Sequence, residues 1–144
     1  MRLKPQTYAL TVLTSQRRRV FQRTLIAELF IDTLFRYRDA GKFKLHAFAI
    51  MPDHAHILLT PASDQTIERS VQLIKGGFSF AARKDFPGEI WQSGYHAHRI
   101  VDEQDLRNQT VYIANNPTRK RYAAYPHVHT TESYAERIDP SPGF

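Results

Sequence analysis

The chain has 144 residues, enough for one domain with a substantial core and too few for two comfortable ones. It has no cysteine, which excludes disulfides and thiolate metal sites and leaves His, Asp, Glu and amide oxygens as the only candidate ligands. Lys and Arg outnumber Asp and Glu by 20 to 14; that balance suits a polyphosphate partner through counterion release, although mildly basic proteins also occur without one.

Residues 6–14 (QTYALTVLT) alternate and are rich in β-formers, which predicts a first strand. Arg17, Arg18 and Arg19 follow in a loop. From Thr24 to about Ala40, Leu25, Ile26, Leu29, Phe30, Leu34 and Tyr37 recur at three- and four-residue spacing, an amphipathic helix that Gly41 closes. Phe43 to Met51 is a second strand broken by Pro52 and Asp53, and His54 to Thr60 is a third, stopped by Pro61. Their proximity in sequence predicts an antiparallel hairpin. A second helix is expected from about Thr66 to Asp85, with Ile67, Val71, Ile74, Phe78 and Ala81 on one face. Gly76 and Gly77 weaken it, so a kink or a close approach is expected there.

Pro87 and Gly88 form a turn, and Tyr95 to Val101 reads as a fourth strand. Asp102 has the position of an N-cap, with Glu103 and Asp105 in the first turn of a third helix. That helix carries Tyr112 and is expected to stop at Asn115-Asn116-Pro117, because proline disfavours helical geometry in the residue before it. Beyond Thr118 the chain is basic, aromatic and Pro-rich, and reads as a tail that packs loosely or binds something. The order β-α-β-β-α-β predicts an α+β, ferredoxin-like fold: a four-stranded antiparallel sheet with helices packed on it, plus an appended C-terminal helix. One domain over residues 1–122 and a tail over 123–144 follow from this reading. No apolar run approaches the length of a bilayer span and the N-terminus has no signal-peptide core, so a cytoplasmic protein without a membrane partner is expected.

His54 and His56 are two apart on a predicted strand, so their imidazoles share a face and Ala55 takes the other. Two such histidines can hold one divalent ion, and Asp53 is placed to fix an imidazole tautomer from outside. Chance is the plain alternative in a chain with seven histidines. The triplet recurs as His96-Ala97-His98, and spacing alone does not separate the two; the second could touch phosphate or line the same cleft. Tyr112 and Asn116, four apart on one helix, also share a face. A tyrosine phenolate can attack phosphorus and keep the energy of the broken diester in an aryl ester, and an amide oxygen one turn on could complete a two-histidine metal site. Against this, Tyr112 could equally be a packed aromatic like any of the other tyrosines.

Residues 51–59 (MPDHAHILL) resemble the MPNHxHLL signature of the single-tyrosine HUH transposases, and the likeness is greatest to the REP-associated tyrosine transposases. Four further stretches agree in order. Residues 73–79 (LIKGGFS) are similar to an LKGRFS-like helix, and residues 90–98 (IWQSGYHAH) to LWQxxYHDH. Residues 101–106 (VDEQDL) resemble IRDEEDL, and residues 112–117 (YIANNP) resemble YIHxNPV. The likeness covers most of residues 6–122; Gly77 replaces a common basic residue and Ala97 an acidic one, and little aligns after Tyr122.

The resemblance implies a metal-dependent single-stranded DNA endonuclease and transposase acting at hairpin-forming repeats. In that scheme His54 and His56 are metal ligands with Asn116 as the third, and Tyr112 is the nucleophile that forms a 5′-phosphotyrosine bond and frees a 3′-hydroxyl. The ion would be Mg2+ or Mn2+, imidazole favouring the latter. Asp53, His96 and His98 would lie near the site, with roles left open. The partner would be single-stranded DNA with hairpin repeats, met by a monomer or homodimer at the bacterial nucleoid. Arg17, Arg18, Arg19, Lys75, Arg83, Lys84, Arg119, Lys120 and Arg121 are candidate phosphate contacts, each equally readable as a solvated charge. Phe78 and Trp91 could stack on bases, although the helical face of Phe78 reads as core. The rival readings are a catalytically inactive hairpin DNA- or RNA-binding module on the same fold and, more distantly, a two-histidine phosphoesterase.

Overall fold

A computed structural model describes residues 5–119 and 127–140. Strand β1 (Tyr8–Leu13) leads through two short 3-10 turns into helix α1 (Thr24–Asp39). Strands β2 (Phe43–Met51) and β3 (His54–Pro61) form the expected hairpin, closed at Pro52-Asp53, and helix α2 (Ile67–Ala81) follows. Strand β4 (His96–Arg99), helix α3 (Glu103–Arg119) and a short helix α4 (Glu132–Ala135) complete the order. The sheet runs β2-β3-β1-β4 with every neighbouring pair antiparallel, the α+β arrangement expected from the element order.

Alternation along the strands sorts side chains to two faces. On one, Leu10, Val12, Phe48, Ile50, Ala55 and Ile57 pack against the apolar stripes of α1 and α2. Phe21, Phe30, Phe78 and Trp91 form an aromatic nest there, with ring centroids 5.1 to 5.8 Å apart. Phe78 is core, as its helical face suggests. Trp91 is core as well: it is buried and its indole N–H donates to the Lys75 carbonyl at 3.1 Å, so it is not placed to stack on bases. The segment before β4 brings it there, because Ser15 and Gln92 hydrogen-bond across to Ile90 and Leu13 and extend the end of β1. Helix α2 passes unbroken through its glycine pair. Gly77 marks a close approach: a Cβ on it would stand 2.5 Å from the Tyr37 hydroxyl of α1.

The opposite face carries α3. Small side chains, Ala47, Ala49 and Ala9, let the helix lie close, and Leu58 packs with Leu106 and Ile113. Asp102 caps it as expected, accepting the Asp105 N–H at 2.8 Å. The helix runs to Arg119 and so passes Pro117, beyond the stop expected from sequence. Proline disfavours helix at the preceding residue by a modest steric energy, and here burial of Ile113 and Asn116 holds the last turns on the sheet. Likewise β4 is shorter than expected and α2 ends at Ala81 rather than near Asp85, the chain continuing in hydrogen-bonded turns.

Residues 127–140 differ most from expectation. Instead of trailing loosely, Val128 bridges Ala49, and the Ile50 and His129 N–H groups donate to His127 and Phe48 carbonyls at 2.8 and 3.0 Å. Asp139 then accepts the Leu45 N–H at 2.8 Å and takes two hydrogen bonds from the Nε and Nη2 of Arg38. The cause is the free edge of β2, whose backbone groups need partners. His46, at a register shift in β2, is buried beneath this clasp and bonded to Thr60 at 2.8 Å. Among the described residues no helix is long and apolar enough to cross a membrane.

Candidate active site

Ala55 points into the α1/α2 core, so His54 and His56 project from the other face, toward α3. Their ring centroids are 4.9 Å apart and the rings nearly perpendicular. The ring of His56 meets that of Tyr112 edge to face, at 5.6 Å between centroids. Strand and helix thus bring together the imidazole pair and the phenol. Tyr112 remains 38% exposed, which leaves it reachable by a large substrate.

Each imidazole is oriented by a neighbour. The Nδ1 of His56 lies 3.1 Å from the Thr11 hydroxyl on the adjacent strand. The Nδ1–H of His54 donates to Asp53 Oδ1 at 2.7 Å, and the Arg17 Nε donates to Asp53 Oδ2 at 3.0 Å. Partial burial alone would raise the Asp53 carboxyl, but the hydrogen bonds from His54 and Arg17 outweigh it and hold the group below the usual carboxylate range. It is therefore an anion at neutral pH, able to fix the His54 tautomer with Nε2 as the basic nitrogen.

One helical turn beyond Tyr112, Asn116 is only 1% exposed and its side-chain oxygen has no hydrogen-bond partner among the described residues. An orphaned buried amide oxygen costs about 1–3 kcal/mol. It is the atom type that a hard or borderline cation would satisfy. Among the described residues no group of three or more His, Asp or Glu side chains is gathered that could hold a metal. The donor set of two imidazoles and one amide oxygen fits a divalent ion.

A cleft of about 400 Å3 opens beside Tyr112, with His56, Gln109, His96 and His98 around it and Thr11 at its floor. Thr11 pairs with His56 on one side and His96 on the other, which places the second histidine pair on the same sheet face as the first. His98 Nε2 lies 2.8 Å from Asp105 Oδ2, which also accepts the Val101 N–H at 3.0 Å. Sequence reasoning missed Thr11 and Gln109, ordinary polar residues with no motif around them. It placed Asp105 only in a helix first turn; its role beside His98 depends on the β4–α3 corner.

The candidate phosphate contacts divide. Arg17 is engaged by Asp53, and Arg18 donates to the Glu89 carbonyl. Lys75 donates to the Gln92 and Gly94 carbonyls at 3.0 and 2.6 Å, and burial pushes its ammonium below the usual lysine value. Arg83 lies over the Phe80 ring at 4.0 Å, while Arg19 and Lys84 are exposed. The side chain of Arg119, and Lys120 and Arg121 altogether, lie outside the described residues.

The family model described as Transposase IS200 like matches residues 3–116. A candidate REP-associated tyrosine transposase of Haemophilus influenzae Rd is 28% identical over 110 residues, covering 63% of this chain. The chain spans 62% of that relative's length. Among solved structures, a REP-associated tyrosine transposase bound to a REP hairpin superposes with a TM-score of 0.76 at 21% identity, over 100% of this chain and 89% of that one. A candidate transposase from Deinococcus radiodurans R1 gives 0.60 at 25% identity, over 78% of this chain and 92% of its own. The chain belongs to the IS200-like transposase family.

Proposed function

We propose that the chain is a single-stranded DNA endonuclease and strand transferase of the REP-associated type, acting at hairpin-forming repeats through Tyr112. The observation that carries this reading is the contact between the Tyr112 ring and His56, which sets a phenol beside the paired imidazoles. His54, His56 and Asn116 would hold a divalent ion, Mg2+ or Mn2+. Bound there, the ion would supply Lewis-acid polarisation of the phosphate and a template for in-line attack.

The remaining chemistry belongs to the chain. The Tyr112 phenol must give up its proton to solvent to react as a phenolate nucleophile. Its oxygen then attacks the scissile phosphorus, an O–P bond forms to the 5′ side, and the 3′-oxygen leaves and takes up a proton. Attack by a 3′-hydroxyl on the phosphotyrosine reverses these steps, rejoins the DNA and returns the phenol. Asp53 keeps His54 in one tautomer and Thr11 orients His56, so neither imidazole needs to reorganise during the cycle. Because α3 docks on the sheet of its own chain, one protomer supplies both the histidines and the tyrosine, which supports a complete site in a monomer or in each half of a homodimer. The solved relative bound to a REP hairpin supports the same kind of partner here, and the formal charge of +6 suits it. The protein would work beside DNA in the bacterial cytoplasm.

End-labelled single-stranded DNA carrying a hairpin, incubated with Mn2+ and run on a denaturing gel, tests the reading. Wild type should give a covalent protein–DNA adduct and Tyr112→Phe none, with hairpin affinity nearly unchanged. An adduct retained by Tyr112→Phe refutes the nucleophile, and a wild type that binds hairpins without ever forming an adduct reduces the protein to a hairpin-binding module.

A further inference from the structure

We propose that Arg17 is a positioning residue that sets the tautomer and ring orientation of His54 through Asp53, in addition to any contact with DNA. The proposal rests on His54 as a metal ligand only for its metal readout; the orientation of the ring is a property of the chain by itself.

The geometry is a relay of three side chains. The two oxygens of Asp53 are divided between Arg17 Nε at 3.0 Å and His54 Nδ1 at 2.7 Å. A carboxylate gripped at one oxygen presents the other in a fixed direction; released, it can turn about its terminal torsion, which is broad and soft. His54 then loses the acceptor that keeps its proton on Nδ1, and the competing tautomer, with Nε2 protonated, cannot offer that nitrogen to an ion.

The backbone around Arg17 is held in an uncommon conformation. Gln16 and Arg17 are both left-handed, at φ 56° and 53°, and neither is glycine. Two such residues in succession cost on the order of 1–3 kcal/mol each, and surrounding structure must hold them. It does: Thr14 donates its N–H to the Asp53 carbonyl at 3.0 Å, Phe21 donates to the Pro52 carbonyl at 3.0 Å, and Ser15 donates to Ile90 at 2.8 Å. The loop is thereby fastened directly to the Pro52-Asp53 turn that precedes His54. Arg18 and Arg19, next in sequence, have negative φ, and the Arg18 guanidinium donates to the Glu89 carbonyl rather than to Asp53. A charge meant only for phosphate needs no such strain. Nor does the ion pair explain it as a stabilising device, since Arg17 is 54% exposed and pairs of that kind contribute about 0–1 kcal/mol.

The test compares Arg17→Ala, Arg17→Lys and, as a control for lost charge, Arg19→Ala, each first checked for native folding. In metal-free protein, 15N NMR of the imidazoles should show His54 in a single Nδ1–H tautomer for wild type and Arg19→Ala, and an average of tautomers for Arg17→Ala. Mn2+ affinity should fall about tenfold in Arg17→Ala, the low end for loss of a group that orients a ligand, with no comparable fall in Arg19→Ala. Arg17→Lys, which keeps a donor near Asp53, should recover most of both signals. If Arg17→Ala leaves the His54 tautomer and Mn2+ affinity at wild-type values and weakens only hairpin binding, Arg17 is a phosphate contact and the proposal is wrong. If wild type binds no Mn2+, the metal reading of the proposed function fails, while the tautomer comparison still decides the role of Arg17.

Discussion

Replacing Asn116 by leucine should make the metal-free protein more stable while destroying its response to metal. The Asn116 side chain is almost wholly buried and its oxygen has no partner among the described residues. Burying an amide oxygen unsatisfied costs about 1–3 kcal/mol, and leucine fills a similar volume without a polar atom. Allowing for imperfect packing of the branched end, the metal-free variant should gain about 1–2 kcal/mol. For a domain of this size that is a rise of about 3–6 °C in the unfolding midpoint. Wild type, by contrast, should gain from Mn2+ by mass action, about 2.7 kcal/mol at a hundredfold excess over the dissociation constant. The variant should gain little or nothing. Urea unfolding followed by circular dichroism, with and without Mn2+, gives all four numbers. A variant that is less stable than wild type without metal, yet keeps the full Mn2+ shift, would refute both the orphaned-oxygen argument and the assignment of Asn116 to the ion.

The other expectations concern different parts of the molecule. His54→Ala combined with His56→Ala should abolish Mn2+-dependent cleavage, whereas His96→Ala should leave Mn2+ binding in place; calorimetric titration separates them, and loss of binding in His96→Ala alone would move the metal to the second histidine pair. Burial holds His46, His127 and His129 below the usual imidazole value. Their contribution to stability is thus fully present above the unfolded value of about 6.5 and is lost as pH falls through the folded values, since the unfolded state then binds more protons. Urea midpoints should fall steadily between pH 7 and pH 5, and flat midpoints would contradict the burial of these groups. Trp91→Phe should cost about 1–2 kcal/mol through lost packing and the lost indole hydrogen bond, with an unchanged salt slope for hairpin binding; a large loss of affinity in a stable variant would return Trp91 to the DNA surface. Gly41, at φ 76° behind α1, should lose about 1–2 kcal/mol on substitution by alanine, read from the same unfolding curves.

The parts of the fold legible in the sequence are those decided over a few residues. The β2–β3 hairpin follows from two apolar runs interrupted only by Pro52 and Asp53, and the Asp102 cap from its position before an acidic first turn. His54 and His56 share a face because strand geometry admits no other arrangement for alternate residues. What stays hidden depends on partners distant in the chain. Nothing local says that α3 lies on the face opposite α1 and α2; the signal, alanines at 9, 47 and 49, is readable only once the strand order is known. Trp91 is open in the sequence to a base-stacking reading, yet its pairing with the end of β1 turns it inward. Pro117 reads as a stop when local sterics are weighed without the burial of Ile113 and Asn116. Arg17 reads as one of three equivalent arginines, since a left-handed backbone leaves no mark when neither residue is glycine.

The segment around Val128 has a bearing on how copies of this chain behave toward one another. Strand β2 is nine residues long and largely apolar, and without Val128 and its neighbours its outer rim would offer a row of unmet amides and carbonyls. Such a rim is a template on which a second chain can add a strand. The other rim belongs to β4, four exposed residues of which three are His or Arg, a poor template. Shortening the chain before residue 127 would therefore exchange solubility for stickiness, and a protein cut there risks precipitating even though its histidines and tyrosine are intact.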